Sequence, residues 1–372
     1  MLRVLHIISD TNIGGAGRHL LTFLEHYNRD KLTAYVLCPP NSVLAEHCIK
    51  TGAATFTSPY LEGDRSFSWR GLLNLFLQVN NFTREHRIDI VHTHASFSGR
   101  LAAGLAGIPV VYTKHRMDWT PGRGIKKQAA AMLNRFTCRR VIAVSQAVKQ
   151  DLLQSGMPEG KIEVVYNGID VEKFREQARK GSVKIGPGIG DNRVVGVVAR
   201  LEPEKGHRYF LEAAARVLEK VRDVCFVVVG AGSLAEELEQ VARILGIEEK
   251  VIFTGYREDI PQLVALMDVM VAPSLTEAFG ISLIEGMCLA RACVASAVGG
   301  LKEIAGDDGN AALLVPPADA EAIAEKVVFL LENPGFAGAM GSRAALEVER
   351  RFGAREMAGK ITELYYRIVG AE

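Results

Sequence analysis

Short apolar runs rich in Val, Ile and Leu alternate with amphipathic segments along most of the chain. In the first half, six such runs predict β-strands: Val4–Ser9, Thr33–Leu37, Ile88–Val91, Pro109–Thr113, Val141–Val144 and Ile162–Val165. Strands that alternate with helices form βαβ units, so the pattern predicts an α/β fold with a mostly parallel sheet.

The periodicity breaks between residues 174 and 192, where glycines and a proline cluster around Pro187, and we interpret 174–192 as a linker region. Five further runs then predict a second sheet: Val194–Ala199, Cys225–Val229, Val251–Phe253, Val269–Ala272 and Cys293–Ser296. The predicted organisation is two doubly wound, Rossmann-like domains at 1–173 and 193–352. A last helical pattern covers 353–372, and the sequence leaves open whether it crosses back onto the first domain.

Length and composition limit the class of protein. A chain of 372 residues exceeds what one core usually fills, which agrees with two domains. No apolar run approaches the roughly 20 residues of a membrane-spanning helix, and the chain starts with a strand rather than a signal peptide. The six cysteines show no C-x-x-C spacing, so we expect reduced, buried thiols. The prediction is a cytoplasmic protein without a nucleic-acid partner.

Residues 116–140 carry many basic side chains against the single Asp118. The basic residues are Arg116, Arg123, Lys126, Lys127, Arg135, Arg139 and Arg140, and apolar residues recur at near-helical spacing at Ile125, Ala129, Met132, Leu133 and Phe136. Such a helix can lie on an anionic membrane, which would place the protein peripherally at the inner face of the membrane. The alternative is a surface helix that packs its apolar stripe inward.

Two glutamates flank a predicted helix start in the stretch from Ser274 to Glu285. Glu277 follows the predicted strand Val269–Ala272, and open α/β sheets bind ligands at the carboxyl ends of their strands. Unpaired N–H groups at a helix N-terminus attract a phosphate, while a carboxylate accepts hydrogen bonds from sugar hydroxyls. This combination indicates a sugar nucleotide.

Glycines and cations follow two other predicted strands. Gly14 and Gly15 open a helix and allow close approach of a phosphate, but the dinucleotide fingerprint fails because its third glycine would be Leu20. Arg200 and Lys205 follow the strand Val194–Ala199, where they can clamp a diphosphate and stabilise a departing nucleoside diphosphate without a metal.

Metal signals are weak in this sequence. No Asp-x-Asp occurs, and we interpret the two histidines of His92-Thr93-His94 as pointing to opposite faces of a strand, which disfavours a metal site. His115 closes another predicted strand, where it can bond a substrate hydroxyl or have a structural role. We therefore expect neither a metal nor another cofactor.

Read as one set, these residues resemble the retaining family 4 glycosyltransferases of the GT-B fold. Supporting matches are Asp89 to His94, Val144-Ser145, Asn167 to Asp170, Arg200-Leu201 with Lys205-Gly206, Val229 to Gly232, and Phe253 to Tyr256 ahead of the Glu-x7-Glu motif. The order of these motifs along nearly the whole chain is highly specific. The loop around Gly17 departs from many relatives, which carry an acidic or other side chain there.

The resemblance implies two Rossmann-like domains facing a central cleft that holds a nucleoside-diphosphate sugar. It implies that Arg200 and Lys205 bind the diphosphate, Glu285 the ribose, and Glu277 the sugar. The remaining implied contacts are the backbone of Ala278, Phe279, Gly280 and Ile281 with the sugar, Gly14 and Gly15 with the phosphate, His115 with the sugar near the reacting carbon, and Tyr256 and Arg257 with the nucleobase.

The implied chemistry is metal-independent hexosyl transfer with retention, by front-face attack of an unknown acceptor: a glycan, a lipid-linked saccharide or a small molecule. A role in cell-envelope polysaccharide synthesis would follow. Two alternatives stay open: a GT-B sugar-nucleotide epimerase or hydrolase, and a sugar- or nucleotide-binding protein that performs no chemistry.

Overall fold

The structure, a computed structural model, describes residues 1–11, 13–61, 68–117, 132, 135–180, 183, 185, 189–306 and 309–370. The strands are β1 (Leu2–Ile8), β2 (Leu32–Cys38), β3 (Ala54–Thr57), β4 (Ile90–His94), β5 (Val110–Lys114), β6 (Arg140–Ala143), β7 (Ile162–Val164), β8 (Arg193–Val198), β9 (Val224–Val229), β10 (Val251–Gly255), β11 (Val269–Ala272), β12 (Ala292–Ser296) and β13 (Leu313–Val315). The helices within the described residues are α1 (Gly15–His26), α2 (Val43–Lys50), α3 (Trp69–Glu85), α4 (Phe97–Leu105), α5 (Gln146–Gln154), α6 (Val171–Arg179), α7 (His207–Lys220), α8 (Ala235–Ile244), α9 (Ile260–Ala265), α10 (Ile281–Cys288), α11 (Gly299–Ala305), α12 (Ala320–Glu332), α13 (Pro334–Arg351) and α14 (Ala354–Val369).

The chain divides into two compact units. The first unit comprises Met1–Gly168 and Ala354–Glu372, and the second comprises Ile169–Gly353. Each unit has one sheet in which every described strand pair is parallel. The repeated βαβ pattern of the sequence is therefore present in both units.

In the first unit the strand order is β3-β2-β1-β4-β5-β6-β7. The chain starts in the middle of this sheet at β1 and winds outward in both directions, as in doubly wound folds. Strand β3 was not predicted from the sequence. Only one of its four residues is even partly buried, so this edge strand lacks the continuous apolar run by which a buried parallel strand is recognised.

Helix α14 belongs to the first unit. It contributes Met357, Ile361, Leu364 and the fully buried Tyr365 to the core that surrounds α1 and β1. The apolar face of α14 thus covers one side of this sheet, and its position brings a C-terminal side chain next to residues of β4.

In the second unit the order is β10-β9-β8-β11-β12-β13. Strand β13, which has three residues at the edge of the sheet, was not predicted either. The core of the second unit contains the edge-to-face rings of Phe210 and Phe226 and the apolar faces of α7 and α12. Because β8 and β11 are neighbours, the loops that follow these two strands meet at one edge of the sheet.

The predicted linker 174–192 differs from the structure at its start. Helix α6 covers residues 171–179 of the second unit, begins with Asp170 capping the N–H of Lys173, and buries Phe174. The cap and the buried Phe174 stabilise this short helix, in which the other apolar residues, Val171 and Ala178, are only partly buried.

All six cysteines are buried and form no disulfide, which confirms the prediction of reduced thiols. Burial raises the pKa of the Cys48 and Cys293 thiols to about 12, so both stay protonated at neutral pH. Among the described helices, none is long and apolar enough to cross a membrane.

Candidate active site

Two loops at the carboxyl edge of the second sheet carry the predicted diphosphate and sugar residues. The loop after β8 contains a short 3-10 turn, Pro203–Lys205, and Gly206 in the left-handed conformation begins α7. The loop after β11 leads to α10 through Glu277. The backbone N–H of Leu275 donates to the carbonyl oxygen of Glu204 at 2.8 Å, which ties the two loops together.

Lys205 and Glu277 form an ion pair across these loops. Lys205 Nζ lies 2.6 Å from Glu277 Oε2, and each side chain is only 16% exposed. The hydroxyl of Ser274 lies 3.3 Å from the same carboxylate oxygen. Partial burial weakens solvent screening, so the pair holds the ammonium group in a defined place at the end of β8 and β11. The structure thus brings together two residues that the sequence separates by 72 positions.

Arg200 lies on the same loop as Lys205 and is more exposed. Its guanidinium contacts Glu204 Oε1 at 3.0 Å, while 54% of its side chain is open to solvent. A solvated pair of this kind is weak, because water competes for both partners. The guanidinium therefore has donors available for another anion.

Glycines allow the loops of this edge to approach each other. A Cβ on Gly206, which has φ +68°, would lie 2.1 Å from the carbonyl oxygen of Pro273. A Cβ on Gly230, which has φ +144°, would lie 1.9 Å from the carbonyl oxygen of Ala199. The Gly-Ala-Gly motif after β9 therefore has a packing reason: it lets the backbone pass the strand end that carries Arg200.

Helix α10 carries Glu285 and starts where Gly280 adopts φ +112°. A Cβ on Gly280 would lie 2.5 Å from Leu301 Cδ2. The N-cap glycine has no side chain to cap this helix and the first turn has no acidic residue, so neither opposes an anion at the positive end of the helix dipole. Glu285 is only 4% exposed, and Ala278 and Phe279 are also buried.

The two residues predicted to contact the nucleobase differ in their exposure and in their partners. Tyr256 is 57% exposed and can offer its ring face to a base. Arg257 instead forms a local fork with Asp259, with contacts of 2.7 and 2.5 Å, and this partner raises the pKa of the guanidinium and lowers the pKa of Asp259. The structure therefore shows Arg257 bound to its own loop.

In the first unit, the loop after β1 leads through Gly14 into α1. Gly14 is the N-cap residue, no side chain caps the helix, and the first turn carries no acid. Among the residues that the structure describes, a Cβ on Gly14 would meet no atom within 4 Å. Packing against these residues does not require glycine there, whereas close approach of a ligand to the helix start would.

Five histidines of the first unit form one cluster that the sequence analysis did not find. His6 comes from β1, His92 and His94 from β4, His115 from the end of β5, and His19 from α1. The ring centroids of His92 and His94 are 4.1 Å apart, so the expectation that they point to opposite faces was wrong. Residues two apart in a strand share a face, and the H-x-H motif has that spacing.

Hydrogen bonds connect the cluster. His6 Nδ1 lies 3.2 Å from His94 Nε2, and His94 Nδ1 lies 3.3 Å from His115 Nε2. His92 contacts the hydroxyls of Tyr365 at 2.5 Å and Thr113 at 2.7 Å.

His19 Nδ1 lies 2.8 Å from Asn167 Oδ1, and the His19 ring packs edge-on against His115 at a centroid distance of 4.9 Å. The cluster lies at the carboxyl edge of the first sheet. The H-x-H spacing in β4 is a sequence signal for two members of the cluster, whereas the place of His6 beside His92 follows from the register of β1 against β4.

The cluster is electrically neutral at pH 7. Burial lowers the pKa of His6 to about 3 and of His19 to about 4. Burial and the neighbouring imidazoles also lower the pKa of His92, His94 and His115 well below the ordinary value. Two overlapping triads, His6–His92–His94 and His19–His94–His115, have nitrogens close enough to share a metal ion. Both nitrogens of His92 already contact hydroxyls, however, and both nitrogens of His94 contact imidazoles.

The predicted basic segment 116–140 lies mainly outside the described residues. Of its apolar stripe, Met132 is 63% and Phe136 is 73% exposed.

Comparison with known protein families shows to which family the chain belongs. The model of "Glycosyltransferase Family 4" matches residues 13–173, and that of "Glycosyl transferases group 1" matches residues 192–333. The chain belongs to glycosyltransferase family 4. The first matched segment contains His115, and the second contains the Lys205–Glu277 pair.

Relatives of this glycosyltransferase share about a quarter of its residues. A UDP-Gal:alpha-D-GlcNAc-diphosphoundecaprenol alpha-1,3-galactosyltransferase of Escherichia coli is 27% identical over 313 residues, which is 80% of each chain. Alpha-D-kanosaminyltransferase of Streptomyces kanamyceticus is 27% identical over 75% of this chain and 77% of its own. Anabaena HepE, solved in complex with UDP and glucose, superposes with a TM-score of 0.83, 25% identity and coverage of 98% and 99%.

These likenesses show that the fold is GT-B, as the sequence predicts. The predicted activity class is also confirmed, since the protein is a glycosyltransferase by family and by relatives.

Proposed function

We propose that this glycosyltransferase transfers a hexose from a UDP-sugar to an acceptor hydroxyl with retention of anomeric configuration and without a metal ion. The observation that carries the proposal is the Lys205–Glu277 pair at the common end of β8 and β11, next to Arg200 and the uncapped start of α10. Two cations and a helix N-terminus can neutralise a diphosphate, which is the work a divalent metal performs elsewhere. The choice of UDP rests on the galactosyltransferase relative and the UDP-bound neighbour.

The proposed roles follow from charge and burial. Lys205 and Arg200 bind the diphosphate, and Glu285 accepts hydrogen bonds from the ribose hydroxyls. Glu277 orients Lys205 and accepts from a sugar hydroxyl, together with the backbone from Ala278 to Ile281. Tyr256 lies against the base. Gly14 and Gly15 admit a phosphate near the start of α1, and His115 contacts the sugar.

In the proposed reaction the bond between the anomeric carbon and the β-phosphate oxygen breaks, and UDP leaves with the electron pair. The acceptor oxygen forms its bond to the same face of the sugar, and its proton passes to the departing phosphate. Arg200 and Lys205 stabilise the charge that develops on UDP, so electrostatic stabilisation supplies most of the catalysis. No carboxylate nucleophile is needed.

We also propose that the protein contacts the inner face of a membrane through 116–140. The exposed Met132 and Phe136 support this proposal, because two of the five stripe residues are not covered by the protein. Co-sedimentation with vesicles containing anionic lipid at low salt tests it. Binding that disappears in M132S/F136S is expected; wild-type protein that stays in the supernatant would contradict the proposal.

The donor is tested by thermal unfolding with UDP, GDP, ADP and NAD, each with and without EDTA. A ligand that binds only the native state raises the unfolding temperature. We expect a rise with UDP that EDTA does not change. Selective stabilisation by another nucleotide, or a requirement for metal, would contradict the proposed donor or the metal independence.

The chemistry is tested by incubating UDP-sugars with acceptor candidates and recording the anomeric configuration of the product by NMR. A matching α-configured product is expected from an α-linked donor. UDP-sugar consumption that does not depend on any acceptor would instead favour the hydrolase alternative.

A further inference from the structure

Three histidines of the cluster form a row that ends at His115. His6 Nδ1 contacts His94 Nε2 at 3.2 Å, and His94 Nδ1 contacts His115 Nε2 at 3.3 Å. Buried imidazoles with a lowered pKa are neutral at pH 7, so each ring has one N–H and one lone pair. A row of neutral rings can be ordered in only two ways, because every ring must donate toward the same end.

The inner end of the row distinguishes the two orders. His6 Nε2 is buried and has no hydrogen-bond partner among the residues that the structure describes. If the rings donate inward, His6 Nε2 carries a buried N–H without an acceptor. If they donate outward, His6 Nε2 is a bare lone pair. Buried N–H groups without acceptors are rarer in proteins than acceptors that lack a donor, so the outward order costs less.

We propose that His6 and His94 are positioning residues that keep His115 in the Nδ1–H tautomer, so that His115 donates a hydrogen bond from Nδ1 to an oxygen of the transferred sugar. This inference rests on the proposed function, in which His115 contacts the sugar. In the outward order, His6 Nδ1–H donates to His94, and His94 Nδ1–H donates to His115 Nε2. The remaining nitrogen of His115 then carries the proton.

The position of His115 agrees with this role. His94 is 1% exposed and His6 is fully buried, whereas His115 is partly exposed at the carboxyl edge of the sheet. Within the described part of the chain, no hydrogen bond to His115 Nδ1 is found. His19 Nδ1 lies 2.8 Å from Asn167 Oδ1, and the His19 ring packs edge-to-face with the His115 ring. This contact limits the rotation of the His115 ring. The row therefore sets the tautomer while His19 restricts the orientation of the ring.

Two isosteric variants of His94 test the His6–His94 contact and the His94–His115 contact separately. The asparagine amide lies close to the place of histidine Nδ1, and the glutamine amide lies close to the place of Nε2. H94N can thus still donate to His115 and loses the contact with His6, whereas H94Q keeps a partner for His6 and leaves His115 without a donor. Both remove one imidazole from the same buried place, so they form a matched pair for folding.

The tautomer of His115 is measured by ¹⁵N NMR of the full chain labelled at histidine, with H115Q to assign the signals. We expect Nδ1–H in the wild type, a weaker preference for it in H94N, which has lost the contact with His6, and loss of that preference in H94Q. With UDP-sugar as donor, H94N should lose less than about 10-fold in kcat, while H94Q should lose about 10- to 100-fold in kcat with little change in the affinity for UDP. A structural role alone would move neither the NMR signal nor the difference between the variants.

Several results would overturn the proposal. One is Nε2–H on wild-type His115, and another is an H94Q protein whose tautomer and kcat are those of H94N. Stoichiometric uptake of Zn²⁺ by the wild type that is lost in H19Q would show a metal site in place of the row.

Failure of the proposed function gives a different pattern. If H115Q keeps full transferase activity while wild-type His115 is Nδ1–H, the tautomer assignment holds and the contact between His115 and the sugar is disproved.

Discussion

Lys205 and Glu277 form an ion pair 2.6 Å long between loops that follow two neighbouring strands. Glu277 thereby has a role that its motif does not reveal, since it orients the lysine proposed to bind the leaving diphosphate. The pair also explains why the loops after β8 and β11 need close backbone approach at Gly206.

Replacing Lys205 with alanine is expected to lower kcat by about 100-fold or more, because one preorganised charge on the leaving group is lost. The unpaired Glu277 carboxylate should also cost about 1–3 kcal/mol of unfolding free energy. Steady-state kinetics and urea unfolding measure both effects. The control is K220A, an exposed lysine at the end of α7, which should change neither. Near-normal kcat in K205A would remove Lys205 from the mechanism.

Replacing Glu285 with glutamine tests its proposed contact with the ribose. A buried carboxylate accepts strong hydrogen bonds from hydroxyls, and losing them should weaken UDP binding by about 10- to 100-fold. Calorimetric titration with UDP and with 2′,3′-dideoxy-UDP separates the cause. The wild type should prefer UDP and E285Q should show little preference. An equal preference in both proteins would place Glu285 away from the ribose.

Two glycines with φ +68° give a matched test of the loop after β8. In G206A the new Cβ would lie 2.1 Å from the Pro273 carbonyl oxygen, whereas in G246A no atom of the described residues lies within 4 Å of the new Cβ. G246A should cost only the left-handed strain of about 1–2 kcal/mol. G206A should cost more and weaken UDP binding, because the loop must move and takes Lys205 with it. Equal urea midpoints for the two variants would show that the close approach is unimportant.

Tyr365 of α14 contacts His92 in the buried core of the first unit. Y365F removes the hydroxyl and leaves His92 Nδ1 without this partner, so we expect a loss of about 1–3 kcal/mol in unfolding free energy. Y366F removes a hydrogen bond to the Lys31 carbonyl oxygen near the surface and should cost less than about 1 kcal/mol. Urea unfolding followed by circular dichroism compares the two, and similar losses would contradict the prediction.

The neutral histidine cluster predicts a pH dependence of stability. Unfolded histidines take up protons below pH 6.5, while His19 stays neutral to about pH 4 and His6 to about pH 3 in the folded protein. The unfolded state therefore binds more protons in this window, and stability falls as the pH is lowered from 6.5 toward 4.

Each such histidine contributes a slope of about 1.4 kcal/mol per pH unit. Unfolding free energies at pH 5, 6 and 7.5 measure the slope. H19Q should reduce it by one such contribution. A wild-type stability that does not vary between pH 5 and 6.5 would contradict the prediction.

The sequence by itself determined the α/β class, both sheets and the family. Buried parallel strands require continuous runs of Val and Ile, and such runs are visible without knowledge of their neighbours. The edge strands β3 and β13 escaped because an edge strand needs fewer buried residues. Helix α6, which covers the first residues of the predicted linker, buries only Phe174 and therefore has no long apolar stripe that the sequence could reveal.

Only the tertiary structure decided which side chains meet. The pairing of Lys205 with Glu277 follows from the adjacency of β8 and β11, which no local pattern records. The histidine cluster depends on the register of β1 against β4, which places His6 beside His92. It also depends on the common face of His92 and His94, and on the packing of α1, which places His19 at the same edge of the sheet. Strand formation is a local property of the chain, whereas strand order and register depend on the packing of the whole unit.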